Sequence, residues 1–355
     1  MWDDVVGHAA QKQYLQHYLK AQERPHALLF SGPDGLGKRQ LTLEFAKTLL
    51  CVTHTGTDNC KACRLMNLAD DSLSHPDFFL VKRELEEKEG KIRYKDISKD
   101  QIKELIQQAA LTPAMSHTRV CVIEDADTLC NGTAAPANAF LKLLEEPPEG
   151  WVIILLTSKP DKILPTILSR VVQLRFQSIE LPLVEQVLVQ KGVPATEAPV
   201  LARIAEGSIG QALRLYAGNS DVHKTNAKDY NALAMRAQAW AFLEALPLSA
   251  PLNYIAGRSW QAKGYQKLDA LLLVQMWQLL LYDLLLCKLQ LYDRIYNIDL
   301  LDELKAQAGA WELAALKRVL SLLQATHDDI AHDAGAKAAL EAIALKIDQY
   351  IRSDD

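Results

Sequence analysis

Gly32-Pro33-Asp34-Gly35-Leu36-Gly37-Lys38-Arg39 carries the densest chemistry in this 355-residue chain. Glycines at 32, 35 and 37 let successive backbone N–H groups turn inward, and the lysine that follows adds a point charge. Such a loop suits phosphate oxygens: the N–H groups cradle them and an ammonium meets the β- and γ-phosphates of a nucleotide. The helix after the loop offers its positive end to the same anion. Seven of the eight positions of the phosphate-loop pattern are met, and the exception is the Ser or Thr whose hydroxyl would ligate Mg²⁺, here Arg39. The candidate nucleotide-binding residues are therefore Gly32, Pro33, Gly35, Gly37, Lys38 and Arg39. The bland alternative is a glycine-rich turn with no ligand. Binding follows from the pattern; hydrolysis does not.

The loop works only between a strand and a helix, and both are expected. Ala27-Leu28-Leu29-Phe30 reads as a buried strand, and a helical pattern runs from about Gln40 to Leu50. A strand at Val120-Cys121-Val122-Ile123 ends in Glu124-Asp125-Ala126-Asp127. Acids at the carboxyl end of a strand beside such a loop are where a nucleotide-bound Mg²⁺ is held and a water activated, which singles out Glu124 and Asp125. The strand Val152–Leu156 leads into Thr157-Ser158, whose hydroxyls can reach a γ-phosphate. Further strands are expected at Phe78–Val81 and Val171–Phe176. Helices are expected over residues 9–21, from the capping box Ser98–Gln101 to about Ala110, over Thr133–Glu146, and briefly over Asp161–Leu168. The charge run Lys82–Asp96 reads as an exposed loop or hairpin. Strands alternating with helices predict an α/β fold with a parallel, helix-covered sheet. Beyond about Gln177 the strand signals stop. Helices are expected over 181–191, 197–205 and 211–216, and almost throughout from 221 onward.

The six cysteines include Cys51, Cys60 and Cys63, the last two at C-x-x-C spacing. Without a secretory signal, this clustering suggests zinc rather than disulfides. A closed structural zinc site needs four ligands, and His54, Asp58 or His75 could supply the fourth. A loop of free thiols is the alternative.

Composition narrows the class: 49% hydrophobic, 23% charged and a net charge of −5 exclude a protein that is basic over its whole surface. The start, Met1-Trp2-Asp3-Asp4, lacks a signal peptide's basic and apolar segments. The most apolar stretch, Leu271–Leu291, is interrupted by Gln275, Gln278, Asp283 and Lys288 and reads as a buried helix, not a membrane span. A soluble cytoplasmic protein is expected.

With the phosphate loop, the acidic strand end, Thr157-Ser158 and Ser169-Arg170 in this order, the chain resembles the clamp-loader branch of the AAA+ ATPases. The run from Asn138 to Pro148 is similar to a specific signature of that branch, and Trp2–Gly7 resembles the segment that packs near the adenine. The cysteine loop resembles the zinc module of bacterial loader subunits, which usually has four cysteines. The resemblance implies an AAA+ P-loop domain over 1–177, a helical lid domain over 178–220 and an all-α collar domain over 221–355 that joins five subunits. Implied partners are the gamma/tau motor subunits and delta, with the sliding clamp and primed DNA met through the complex. Implied cofactors are ATP or ADP, with weak hydrolysis, and zinc.

Four departures point to a stator rather than a motor subunit: Arg39, the reversed acid order Glu124-Asp125, Gly210 where the lid motif usually has an arginine, and a chain end at 355 without tau's extension. Ser169-Arg170 is kept, and the resemblance implies that Arg170 acts in trans as an arginine finger on a neighbour's ATP. A surface salt bridge is the plainer role for Arg170. The rival is an active gamma/tau-like motor ATPase, supported by Lys38 and the loop glycines. A small-molecule P-loop kinase would leave the Leu-rich C-terminal helices unexplained.

Overall fold

The structure, a computed structural model, describes residues 2, 4–66, 73–88, 91–131, 135–217, 232–245, 267–332 and 335–352. The expected helix start at Thr133 and the expected boundary at 220/221 lie outside these residues, as do Met1 and Asp3. The chain divides into two units, Met1–Ile179 and Glu180–Asp355.

The first unit is built on a five-stranded sheet in the order β2-β5-β6-β1-β7. Its strands are β1 (Ala27–Ser31), β2 (Phe78–Val81), β5 (Arg119–Ile123), β6 (Trp151–Thr157) and β7 (Val172–Arg175). Every pairing in it is parallel. Parallel strands need crossover helices, which cover both faces and explain the unbroken apolar runs. Alternation along β1 sends Leu28 and Phe30 to one face and Ala27 and Leu29 to the other. The first face packs on α1 (Ala9–Lys20) and α2 (Lys38–Leu50), through Leu15, Leu41 and Phe45. The second packs on α4 (Lys99–Ala109) and α5 (Ala135–Glu145), through Ile102, Leu105 and Phe140. At about 25 cal/mol per Å² of apolar surface removed from water, these two layers are what hold the sheet.

Local signals explain the ends of these elements. Ser98 Oγ accepts from the Gln101 N–H while the Gln101 side chain accepts from the Ser98 N–H, closing the capping box of α4. The charge run folds as the antiparallel hairpin β3 (Glu84–Lys88) and β4 (Lys91–Lys95), with Leu85 opposite Tyr94. One expectation needs correction: no continuous helix spans Asp161–Leu168. A 3₁₀ turn at Pro160–Lys162 is followed by a separate turn, α6 (Pro165–Leu168), because Leu164 precedes proline and is held extended at ψ 139°.

The second unit is helical. α7 (Leu181–Gln190), α8 (Ala198–Ile204) and α9 (Ile209–Ala217) are followed by Ala232–Ala245, Lys267–Lys288, Leu301–Ala308, Leu313–Ala331 and Ala336–Arg352. Lys267–Lys288 is the axis of its core: Trp277, Leu280, Leu281 and Leu284 are fully buried, and Val200 and Ile204 belong to the same apolar cluster. It is also the one helix among the described residues long and apolar enough to cross a membrane. Its burial inside a helical bundle is that of a core helix. Asp283, midway along it, is buried but accepts from the N–H groups of Tyr296 and Asn297 and from Asn297 Nδ2, at 2.7 to 2.9 Å. Burial pushes its carboxyl up, and these hydrogen bonds work the other way.

Candidate nucleotide-binding site

The phosphate loop joins the end of β1, which lies between β6 and the edge strand β7, to the start of α2. Two of its glycines are required by shape. At Gly32, φ is +145° and a Cβ would stand 2.3 Å from the Phe176 carbonyl oxygen. At Gly37, the residue before α2, φ is +86°, a left-handed conformation that costs a side-chain-bearing residue energy. Lys38 is only 8% exposed, and its ammonium donates to the carbonyls of Gly32 (2.5 Å) and Pro33 (2.6 Å). Burial lowers its pKa, while Asp34 and Asp125 work to raise it. The ammonium is thus held inside the loop by the backbone that a phosphate would face.

Arg39, one residue on, forms an ion pair with Glu124 at the end of β5. Asp125 follows with φ 49° and ψ 46°, left-handed, and its carbonyl accepts from both the N–H and the hydroxyl of Thr128 at 2.8 Å. Burial raises the Asp125 carboxyl and Asp127 raises it further. Thr157 sits at the end of β6, opposite Ser31 across the ladder. Its hydroxyl donates to Asp127 at 2.7 Å and accepts from the Lys159 N–H at 2.9 Å. Loop, acids and Thr157 therefore converge at the carboxyl edge of the sheet, where open α/β sheets bind ligands.

The N-terminal segment closes over the same loop. Val5 lies 3.9 Å from where a Cβ on Gly37 would stand, and Trp2 Nε1 donates to Thr48 Oγ1 on α2 at 3.1 Å. His8 was not singled out from the sequence. Its Nε2 lies 2.6 Å from the Leu36 carbonyl of the loop, and its ring packs against Phe176 with centroids 4.7 Å apart. Burial lowers its pKa. Asp127 also escaped notice as the partner of Thr157, since nothing local marks a contact across 30 residues.

Arg170 lies outside this cluster. It is 35% exposed and pairs with Glu145 at the end of α5 (2.9 Å), while also donating to the Thr166 carbonyl and Ser169 Oγ. Gly210 falls in the first turn of α9, in the second unit.

A second constellation follows α2. Ligand atoms of Cys51, Asp58, Cys60 and Cys63 all lie within 4.8 Å of one another. Asp58 Oδ1 is the hub, 3.3 Å from the sulfurs of Cys51 and Cys63 and 3.1 Å from the Cys60 N–H. Three sulfurs and one carboxylate oxygen match the four-ligand requirement of a structural zinc site. The other two residues considered for the fourth position are elsewhere: His54 Nδ1 is 3.3 Å from the Thr48 carbonyl, and His75 Nδ1 accepts from the Asp77 N–H.

The family model described as DNA polymerase III, delta subunit, matches residues 7–180. A DNA polymerase III subunit delta' from Bacillus subtilis is 28% identical over 316 residues, covering 88% of this chain and 87% of the relative. The subunit delta' of Pseudomonas aeruginosa is 36% identical over 154 residues, 42% of this chain and 43% of that one. A gamma/tau subunit from Mycobacterium tuberculosis is 31% identical over 233 residues, 62% of this chain but 38% of the relative. A parallel sheet carrying a phosphate loop, followed by an all-helical C-terminal region, is the architecture that the sequence predicts. On these matches, the chain is similar to the delta' and gamma/tau subunits of DNA polymerase III and reads as a delta-prime-like clamp-loader subunit.

Proposed function

We propose that this chain is the stator of a bacterial clamp loader: a nucleotide-binding but weakly hydrolysing subunit that works beside gamma/tau and delta to place the sliding clamp on primed DNA. The observation that carries the reading is the Arg39–Glu124 ion pair, which ties up the first acid of the strand-end motif with the residue that replaces the Mg²⁺-ligating hydroxyl. Thr157 is likewise committed to Asp127 rather than presented to a γ-phosphate. Gly35, Gly37 and Lys38 remain able to hold phosphates, so binding outlasts hydrolysis.

Arg170 is the residue proposed to act on chemistry, in trans, by stabilising charge on a γ-phosphate held by the adjoining subunit. Its pairing with Glu145 does not oppose that role. Partly exposed ion pairs contribute about 0–1 kcal/mol, so the guanidinium can leave Glu145 for a phosphate at little cost. The helices of the second unit are proposed to act as lid and collar, the latter joining five subunits. Cys51, Asp58, Cys60 and Cys63 are proposed to hold one zinc that ties the loop after α2.

The test is ATP turnover by the purified chain. The stator reading expects nucleotide binding with negligible DNA-stimulated turnover. Vigorous turnover by the chain alone would favour the rival, a gamma/tau-like motor, which the identity with the mycobacterial gamma/tau subunit keeps in view.

A further inference from the structure

Phosphate loops with a hydroxyl after the lysine hold Mg²⁺ through that hydroxyl and a strand-end acid. The residues here do not fit that ion. Arg39 has five N–H donors and no acceptor, so it cannot ligate a cation. Its Nε is bound to Glu124 Oε1, so the guanidinium also engages the nearest carboxylate. The carboxylate of Asp127 accepts from the Thr157 hydroxyl. The ligating hydroxyl is thus replaced, Glu124 and Asp127 are engaged, and a fixed positive charge stands beside Asp125.

We propose that this site binds a nucleoside di- or triphosphate without a divalent cation, Arg39 supplying the positive charge that Mg²⁺ would otherwise bring. The inference rests on reading Gly32–Lys38 as a nucleotide site. A guanidinium matches phosphate through a planar fork. Arg39 is placed for it: it is in the first turn of α2, directly after the lysine that the loop encloses, and its position is fixed from behind by Glu124. Glu124 in this arrangement is a positioning residue: it orients the guanidinium and touches no phosphate.

The test is calorimetric titration of the full chain with ADP, with Mg²⁺ and in buffer stripped of divalent ions over a chelating resin before protein is added. Soluble EDTA is avoided because it would also draw on the cysteine cluster. The wild-type chain should bind ADP with an affinity that changes by less than about threefold between the two buffers, well inside the tenfold that 1.4 kcal/mol represents. Arg39→Ser should lose about tenfold or more in the stripped buffer, the size of a charge-assisted hydrogen bond, and recover at least part of it with Mg²⁺. Arg39→Lys should retain metal-free binding. Wild-type binding that requires Mg²⁺ would overturn the inference while leaving the nucleotide site standing. No binding in either buffer would overturn the nucleotide site itself.

Discussion

Arg39 and Glu124 are 85 residues apart in sequence and form an ion pair at the carboxyl edge of the sheet. One comes from the first turn of α2 and the other from the end of β5. Their side chains are 33% and 20% exposed, so the pair is neither a free surface contact nor a fully desolvated one. Glu124→Gln should therefore destabilise the chain by about 1 kcal/mol, between the exposed and buried limits. It should leave ATP turnover by the purified chain unchanged. In a motor ATPase the same change would remove most of the activity. Urea unfolding and a turnover assay on one preparation read both.

Asp77 sets an acid limit for the first unit. Its carboxylate is buried and accepts from three consecutive N–H groups, of Ala114, Met115 and Ser116, at 2.7 to 2.8 Å, with Arg119 at 3.5 Å. Burial works to raise its pKa, but the three hydrogen bonds outweigh it and hold the group below its usual 3.8. A carboxylate depressed in the folded state gives stability that is complete above its unfolded pKa and lost as pH falls through the folded one. Asp77→Asn should thus cost about 2–4 kcal/mol at pH 7. The gap between wild type and variant should narrow below about pH 4, as the wild-type carboxylate protonates. Unfolding midpoints across pH 3–7 check the sign.

Gly32→Ala places a methyl on the Phe176 carbonyl oxygen, where even an ideal Cβ sits at 2.3 Å. Backbone cannot yield as a flexible side chain would. A loss of at least about 2 kcal/mol is expected, from the unfavourable backbone angle together with the clash. Nucleotide binding should fall with it. A variant with unchanged melting temperature would show that β7 and the loop are not held as close as described.

The cysteine cluster makes a metal prediction. The purified chain should carry about one zinc, and Cys63→Ser should lose it, because three remaining ligands do not close a structural site. Elemental analysis gives the count, and a chelator should lower the melting temperature of wild type but not of the variant. Equal melting curves of the as-purified protein with and without chelator, and no zinc by elemental analysis, would mean a hydrogen-bonded thiol loop.

Much of this is legible in the sequence because the signals are local. Parallel strands buried on both faces read as apolar runs, so β1, β2, β5 and β6 stand out. The capping box of α4 needs only Ser98 and Gln101. Asp58 is one of three candidates for the fourth ligand, and folding decides which one comes within reach. What escaped depends on distant partners. The Arg39–Glu124 and Thr157–Asp127 contacts and the approach of His8 to Leu36 exist only once the sheet order is set. The split of residues 161–168 was a local matter that helical periodicity obscured, and Pro165 decided it.

The proposed role of Arg170 in trans is read most directly in the assembled loader. The measurement is single-turnover ATP hydrolysis by gamma/tau complexes reconstituted with delta and either the wild-type chain or Arg170→Ala. A fall of about a thousandfold or more is expected at the site facing this chain, the size of an arginine-finger loss. ADP binding by the isolated variant should be unchanged. Full hydrolysis in the reconstituted complex, with Arg170→Ala incorporated in normal amount, would contradict it and leave Arg170 as the partner of Glu145 alone.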